Sequence, residues 1–296
     1  MITYITEEDV KLNLKIGECI EELRKAFKSY GNGISDAHPR DRIIKNNSIL
    51  NTMPGYYGDR HLAGLKTYYA GPSGIHFVVI IFNTEKPEDL YILEANTLGQ
   101  IRTGALTAMV TSEIVKEKSI NFTLIGSGFQ AESQFLAMKE IYNFKHAYVY
   151  SRNQSHSKAF ADKFGIDSVA TLDVLKESDV ITTMTNSNSP IFNYRQLPEK
   201  YHINLAGSNF PIRREAAPDV PDNSDVIIVE NLEQALKESA EIIGVQKKEK
   251  IVELKDYIIN KWKFPGNKTI FKSMGIGLED IAAGYIVLKN MGLINF

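Results

Sequence analysis

Two hydrophobic periods divide this chain. Ile16, Ile20, Leu23 and Phe27 recur at helical spacing and share one face. Thr6 stands ahead of Glu7, Glu8 and Asp9, an N-cap followed by acids that suit the positive end of a helix dipole. Gly31 or Gly33 stops the run, so one helix is expected from Thr6 to that point. The period then shortens. Segments near 42–50, 63–69, 75–82 and 90–95 are β-branched and aromatic, bounded by Gly, Pro and Asn. The polar stretch Asn83–Asp89 joins two of them as a hairpin loop. These segments predict a mostly antiparallel sheet.

From about Arg102 the grammar changes. A helix is expected over 103–117, then strand 121–125, helix 129–142, strand 146–150, helix 154–164, strands 179–184, 203–206 and 225–229, and helix 231–239. Strands and helices alternating at this spacing argue for βαβ units in a parallel, doubly wound sheet. A last helix, about 277–291, follows the turn Ser273–Gly277. The fold class is therefore α/β. A central Rossmann-type domain is expected over 115–276. Residues 1–114 and the returning helix, 277–296, are expected to form a separate α+β domain.

The strand over 121–125 breaks into Gly126-x-Gly128-x-x-Ala131 and then a helix. A dinucleotide-binding βα turn needs this layout. The first glycine permits the tight turn, the second lets the backbone approach a pyrophosphate, and a small third residue lets helix and strand pack closely. The pyrophosphate sits on free N–H groups at the helix start. Ser127 does not fit a nucleophile elbow, because the spacing is not GxSxG. After the next strand, where an NAD-preferring site carries an acid for the ribose 2′-OH, the chain reads Tyr150-Ser-Arg-Asn153. Arg152 can hold a 2′-phosphate bidentately. NADP is favoured, and NAD stays possible. The expected cofactor set is Arg102, Thr103, Gly126, Gly128, Phe129, Gln130, Ala131, Ser151, Arg152, Thr185 and Ser273.

Composition narrows the partners. The formal net charge of −2 gives no reason to expect nucleic acid or an anionic membrane. The single cysteine, Cys19, excludes an intrachain disulfide framework and reads as a small core residue. The first residues lack a basic and apolar leader, and apolar runs such as Phe77–Phe82 are strand-sized, so the cytoplasm is expected. Six histidines without ligand spacing and one cysteine predict no metal site.

The sharpest signals stand in the first domain: Arg40, Asn51-Thr-Met-Pro54, Gly64-Leu-Lys66 and Leu98-Gly-Gln-Ile-Arg-Thr-Gly-Ala105. Further on come Ala206-Gly-Ser-Asn209, Arg213-Arg-Glu215 and Phe271-Lys-Ser-Met-Gly-Ile-Gly-Leu-Glu-Asp280. Together, in this order and from about Arg40 to Asp280, they resemble the ornithine cyclodeaminase/μ-crystallin family. The resemblance implies a homodimer built through the N-terminal domain and a Rossmann domain binding NAD(P). It implies a reaction among those of ornithine cyclodeaminases, archaeal-type alanine dehydrogenases, ketimine or cyclic-imine reductases and opine-type dehydrogenases. It gives Arg40 and Arg102 the substrate carboxylate and makes Lys66 the pocket lysine that handles protons. Met53 and Asn209 complete the expected substrate set.

The residue chemistry agrees: a carboxylate wants a bidentate Arg, and proton transfer wants a group of tuned pKa. Lys66, between Leu65 and the pair Tyr68-Tyr69, gains such a pKa if buried. Arg42 competes with Arg40 for its role. Thr103 is expected to cap the helix that begins there. Two departures matter. Cyclodeaminases carry a glutamate where this chain has Asn51 and an aspartate where it has Asn209. An amide is neither a base nor an anion. The expectation is therefore an NAD(P)H-dependent reductase of a small imine of a 2-oxo acid. The alternatives are an ornithine cyclodeaminase and a non-enzymatic NADP-dependent binding protein.

Overall fold

Thr6 does cap the first helix. In the computed structural model, which describes residues 1–260 and 266–295, β1 (Ile2–Ile5) leads into α1 (Glu7–Asn13). The Asp9 N–H donates to Thr6 Oγ1 at 3.2 Å and the Thr6 N–H donates to Asp9 Oδ2 at 3.0 Å, a reciprocal capping box. The single helix expected here is two. Leu14 and Lys15 are extended, and α2 (Ile16–Gly31) starts afresh. The reason lies in the phase of the apolar positions. At about 100° per residue, Val10 and Leu14 would point away from Cys19, Ile20, Leu23 and Phe27 on one continuous helix. The break lets both groups reach the core, where all six are buried.

The chain divides into two compact units, Met1–Leu106 with Gly275–Phe296, and Thr107–Met274. The expected ranges 115–276 and 277–296 include 261–265 and 296, which lie outside the described residues. In the first unit follow β2 (Asp36–Ala37), β3 (Asp41–Lys45), β4 (Ser48–Tyr57), β5 (Leu62–Gly71), β6 (Gly74–Asn83) and β7 (Leu90–Glu94). The sheet order is β1-β7-β6-β5-β4-β2, with β3 also on β4; only β1–β7 is parallel. The expected strand over 42–50 is a hairpin. Asn46 and Asn47, at φ 49° and 59°, make the left-handed two-residue turn that suits strand twist.

The helix expected over 103–117 is α3 (Asn96–Ile114). Its start is set by a distant residue: the Glu7 carboxylate accepts from the Asn96 and Thr97 N–H groups. Thr103 therefore does not cap a helix. It lies inside one, and its hydroxyl donates to the Gly99 carbonyl at 2.7 Å.

The second unit holds β8 (Ser119–Ile125), α4 (Phe129–Ile141), β9 (Asn143–Tyr150), α5 (Gln154–Phe164), β10 (Asp167–Ser168), β11 (Val180–Thr183) and β12 (Tyr201–Leu205). It continues with α6 (Asp219–Asp222), β13 (Val226–Val229), α7 (Leu232–Glu238), α8 (Ala240–Ile243), β14 (Ile251–Glu253), α9 (Leu254–Asn260) and β15 (Lys268–Lys272). All strands are parallel, in the order β10-β9-β8-β11-β12-β15-β13-β14. The order reverses between β8 and β11, the switch point where such sheets bind ligands. Ile125, Ile181, Ile203, Ile227 and Ile270 contribute to its core. The late strand β15, which the sequence pattern did not announce, wedges between β12 and β13.

The chain ends in α10 (Gly277–Asn290), back in the first unit. It packs on α2, β4 and β5. The approach to β4 is at backbone distance. A Cβ on Gly55 would stand 2.6 Å from the Leu278 nitrogen, and one on Gly277 would stand 2.2 Å from the Met53 carbonyl oxygen. Among the described residues no helix is long and apolar enough to cross a membrane. Because backbone cannot yield as a flexible side chain can, Gly55→Ala is expected to cost about 1–3 kcal/mol in urea unfolding; an unchanged midpoint would refute the tight contact.

Candidate active site and dinucleotide turn

β5, α3 and the first turn of α10 bring four charged side chains together inside the first unit. Lys66 Nζ donates to Asp280 Oδ1 at 3.1 Å. Arg102 Nε donates to the same oxygen at 3.1 Å, and Arg102 Nη1 donates to Glu279 Oε2 at 2.5 Å. Asp280 and Glu279 are fully buried; Lys66 and Arg102 are 4% and 7% exposed. Glu279 also caps α10, accepting from the Ile276 N–H at 3.0 Å. Breaking a buried pair by deleting one partner typically costs about 3–5 kcal/mol, so the four groups stand or fall together.

Two glycines leave the cations their room. A Cβ on Gly99 would stand 3.2 Å from Lys66 Nζ, and one on Gly275 would stand 2.9 Å from Arg102 Nη1. Gly275 also needs its φ of +79°. Met53, buried, sits opposite Lys66 in the β4–β5 register, and the Phe77 ring lies 5.3 Å from the ammonium. Burial pushes Lys66 down to a pKa of about 8; Arg102 and Arg40 also lower it, and Asp280 opposes them.

Arg40, half-buried just before β3, therefore acts on Lys66 electrostatically. Its rival Arg42 donates from Nε to Asn51 Oδ1 at 3.0 Å. Glu279 and Asp280 were not among the expected site residues. Two acids opening a helix read as ordinary dipole complements, and only the fold turns them toward cations far away in sequence. Cys19 is a fully buried core residue, its thiol pushed up by burial.

The second unit carries the glycine turn. Gly126 has φ +119°, and a Cβ there would stand 2.2 Å from the Met184 carbonyl oxygen. Its N–H donates to the Tyr150 carbonyl at 2.8 Å, tying the end of β8 to β9. Gly128 is different: its φ is −87°, and a Cβ would meet nothing within 4 Å. It is the N-cap of α4 and offers no side-chain cap bond. Phe129 is exposed, Gln130 half-buried with its Oε1 unbonded, and Ala131 fully buried. Ser151 and Arg152 follow β9, Arg152 exposed.

Thr185, Asn209 and Ser273 lie past the carboxyl ends of β11, β12 and β15. Glu215, fully buried, accepts from the Thr183 and Thr185 hydroxyls and the Thr185 and Gly207 N–H groups at 2.7–2.8 Å. Lys272 donates to the Ser208 carbonyl at 2.6 Å, next to half-buried Asn209. Ser273 Oγ donates to Glu230 Oε1 at 3.1 Å. Burial raises the Glu215 pKa, and Lys272 opposes the shift. Among the described residues no cluster of three or more His, Cys, Asp or Glu could hold a metal ion.

A glycine turn on a Rossmann-type sheet, with a buried Lys–Arg pair in the other unit, invites comparison with known proteins. The model of the "Ornithine cyclodeaminase/mu-crystallin family" matches residues 3–292. The chain belongs to this family.

Its relatives include the ketimine reductase mu-crystallin of Macropus fuliginosus, 27% identical over 96% of each chain. A delta(1)-pyrroline-2-carboxylate reductase of Bacillus cereus is 29% identical, covering 74% of this chain and 72% of its own. Among solved structures, the Thermococcus litoralis delta(1)-pyrroline-2-carboxylate reductase in complex with NADH and L-proline aligns with a TM-score of 0.88. That alignment covers 99% of both chains at 23% identity, and so speaks for the fold. The matched residues 3–292 include the Met-Pro, Gly-x-Lys, Arg-Thr-Gly-Ala and glycine-turn segments.

Proposed function

We propose that this chain is an NAD(P)H-dependent reductase of a small imine of a 2-oxo acid, ketimine or cyclic imine, working in reverse as an amino-acid dehydrogenase. The observation that carries the reading is Lys66: a buried ammonium, poised at about pH 8, between a carboxylate and two arginines. Arg40 and Arg102 supply the positive field for the substrate carboxylate, and Glu279 and Asp280 hold Arg102 in orientation. Met53 lines the substrate place beside Lys66. Lys66 gives a proton to the imine nitrogen as its carbon is reduced, and takes one back in the reverse direction. Asn209 remains a proposed substrate-binding residue.

The second unit fits a dinucleotide. Gly128 keeps the space at the α4 N-terminus clear, and the uncapped N–H groups there suit a pyrophosphate. When bound, the nicotinamide supplies the hydride. Gly126, Phe129, Gln130 and Ala131 form the turn around the pyrophosphate, and Thr185 and Ser273 stand at the strand ends. Thr103 and Arg102 remain proposed cofactor-binding residues. Ser151 and Arg152 favour NADP, with Arg152 free of any neighbouring acid in Tyr150-Ser-Arg-Asn153. The cyclodeaminase alternative is weaker, because Asn51 binds Arg42 by an amide where that reaction uses a carboxylate.

A homodimer is part of the same proposal. Leu50, Tyr56, Tyr69 and Phe82 lie on alternate positions of neighbouring strands, and Ile43 and Ile44 are on the β3 edge; all are 40–64% exposed. An apolar sheet face of this kind suits a second copy. Sedimentation that finds only monomer at micromolar concentration would exclude it.

The function is tested by following NADPH and NADH oxidation with 1-pyrroline-2-carboxylate, 1-piperideine-2-carboxylate, or pyruvate plus ammonia or methylamine. Turnover of at least one imine is expected, faster with NADPH, and Arg152→Ser should erase that preference. No turnover of any imine by folded, cofactor-binding protein refutes the reading. Lys66→Met should lower the rate about 10²–10⁴-fold. The ammonium is the proton donor, so imine reduction should fall as pH rises through about 8, and amine oxidation should rise over the same range.

A further inference from the structure

We propose that Asp280 is the positioning residue of this site: one oxygen of its carboxylate holds the Lys66 ammonium and the Arg102 guanidinium together, and so sets both the orientation and the protonation of the lysine. The inference rests on the reading of Lys66 as proton donor. Three observations support it. Lys66 and Arg102 each donate to Asp280 Oδ1 at 3.1 Å, so a single atom fixes the distance between the two cations. The two cations are not served equally, because Arg102 also has Glu279, whereas among the described residues Asp280 is the carboxylate that pairs with Lys66, at 3.1 Å. Finally, Asp280 is fully buried and its Oδ2 makes no hydrogen bond, so its charge is not spread over backbone donors and acts on the cations.

The surroundings of Lys66 sharpen the point. Arg102 on α3 and Arg40 ahead of β3 both push the proton off, as does burial; Asp280 on α10 is the charge that retains it. Glu279 is turned to Arg102 and to the Ile276 N–H. Cys19 on α2 has its thiol pushed up by burial and stays neutral. Phe77 on β6 and Met53 on β4 bring no formal charge. Gly99 on α3 offers no side chain at all, and leaves the gap beside Nζ that a substrate nitrogen needs.

The test reads Lys66 directly. Protein labelled with 13C at lysine Cε is titrated by NMR, with the Lys66 signal assigned by its loss in Lys66→Arg. The midpoint is expected near 8 and should fall by about one unit or more in Asp280→Asn. The alkaline limb of kcat/KM for imine reduction should move with it. Glu279→Gln, which removes a charge that pairs with Arg102 and not with Lys66, should move the midpoint less than half as far. Should Asp280→Asn fail to fold, Asp280→Glu decides. It keeps the charge but displaces the oxygen, so kcat should drop about tenfold or more with KM and the midpoint little changed.

An unmoved midpoint in Asp280→Asn, an equal shift in Glu279→Gln, or full kcat in Asp280→Glu would overturn the proposal. If the midpoint moves but no imine is turned over by the parent protein, the functional reading fails and the role of Asp280 in the ionisation of Lys66 stands. If imines are turned over and the midpoint does not move, only the Asp280 proposal fails.

Discussion

In the first unit, the start of α10 lies against β4 at a distance that only hydrogen atoms at Gly55 and Gly277 permit. This contact is made by the last helix of the chain on a strand near its beginning. It carries Glu279 and Asp280 to Arg102 and Lys66, 177 and 214 residues away in sequence. Move the helix outward by the width of a methyl group, and two buried cations lose their carboxylates. The packing of Tyr285 edge-on to Tyr57, with ring centroids 6.4 Å apart, anchors α10 further along.

Burying four charges is costly, and that cost is offset only when each has a close partner of opposite sign. Here the pairing is uneven. Arg102 is held by two carboxylates and stays charged at any working pH. Lys66 shares one of them and is brought within reach of neutral pH. Of the two cations, only the lysine can give up its proton in this range. Neighbouring positions are pruned to match: Gly99 and Gly275 stand where any side chain would crowd the cations.

The second unit shows the same economy around backbone. Gly126 is a conformational necessity, with positive φ and a carbonyl where its Cβ would be. Gly128 adopts an ordinary backbone and faces open space, so neither its conformation nor its packing requires a glycine. At the carboxyl ends of β11 and β12 a single buried carboxylate, Glu215, gathers two hydroxyls and two N–H groups. The loops bearing Thr185 and Gly207 are thereby tied to one atom group rather than left to find their own positions.

Local periodicity by itself determined the two architectures, because a strand alternates and a helix repeats within a few residues. The glycine turn, whose chemistry is contiguous, was legible as well, and Lys66 and Arg102 stood out through the Gly-x-Lys and Arg-Thr-Gly-Ala segments and the family resemblance they carry. Where a boundary depends on a distant partner, local pattern could not find it. α3 begins at Asn96 because Glu7 caps it, and Gly99 obscured its first turns in the sequence. The first helix splits because two apolar groups must reach one core. Hairpin β3–β4 turned on a pair of asparagines that a strand pattern passed over. β15 takes its place between β12 and β13 by a crossover that no local signal encodes. Above all, only the tertiary structure decided that Glu279 and Asp280 belong to the site: two acids at a helix start look the same whether they face water or a buried lysine. The difference is the backbone contact at Gly55 and Gly277, which brings the two ends of the first unit together.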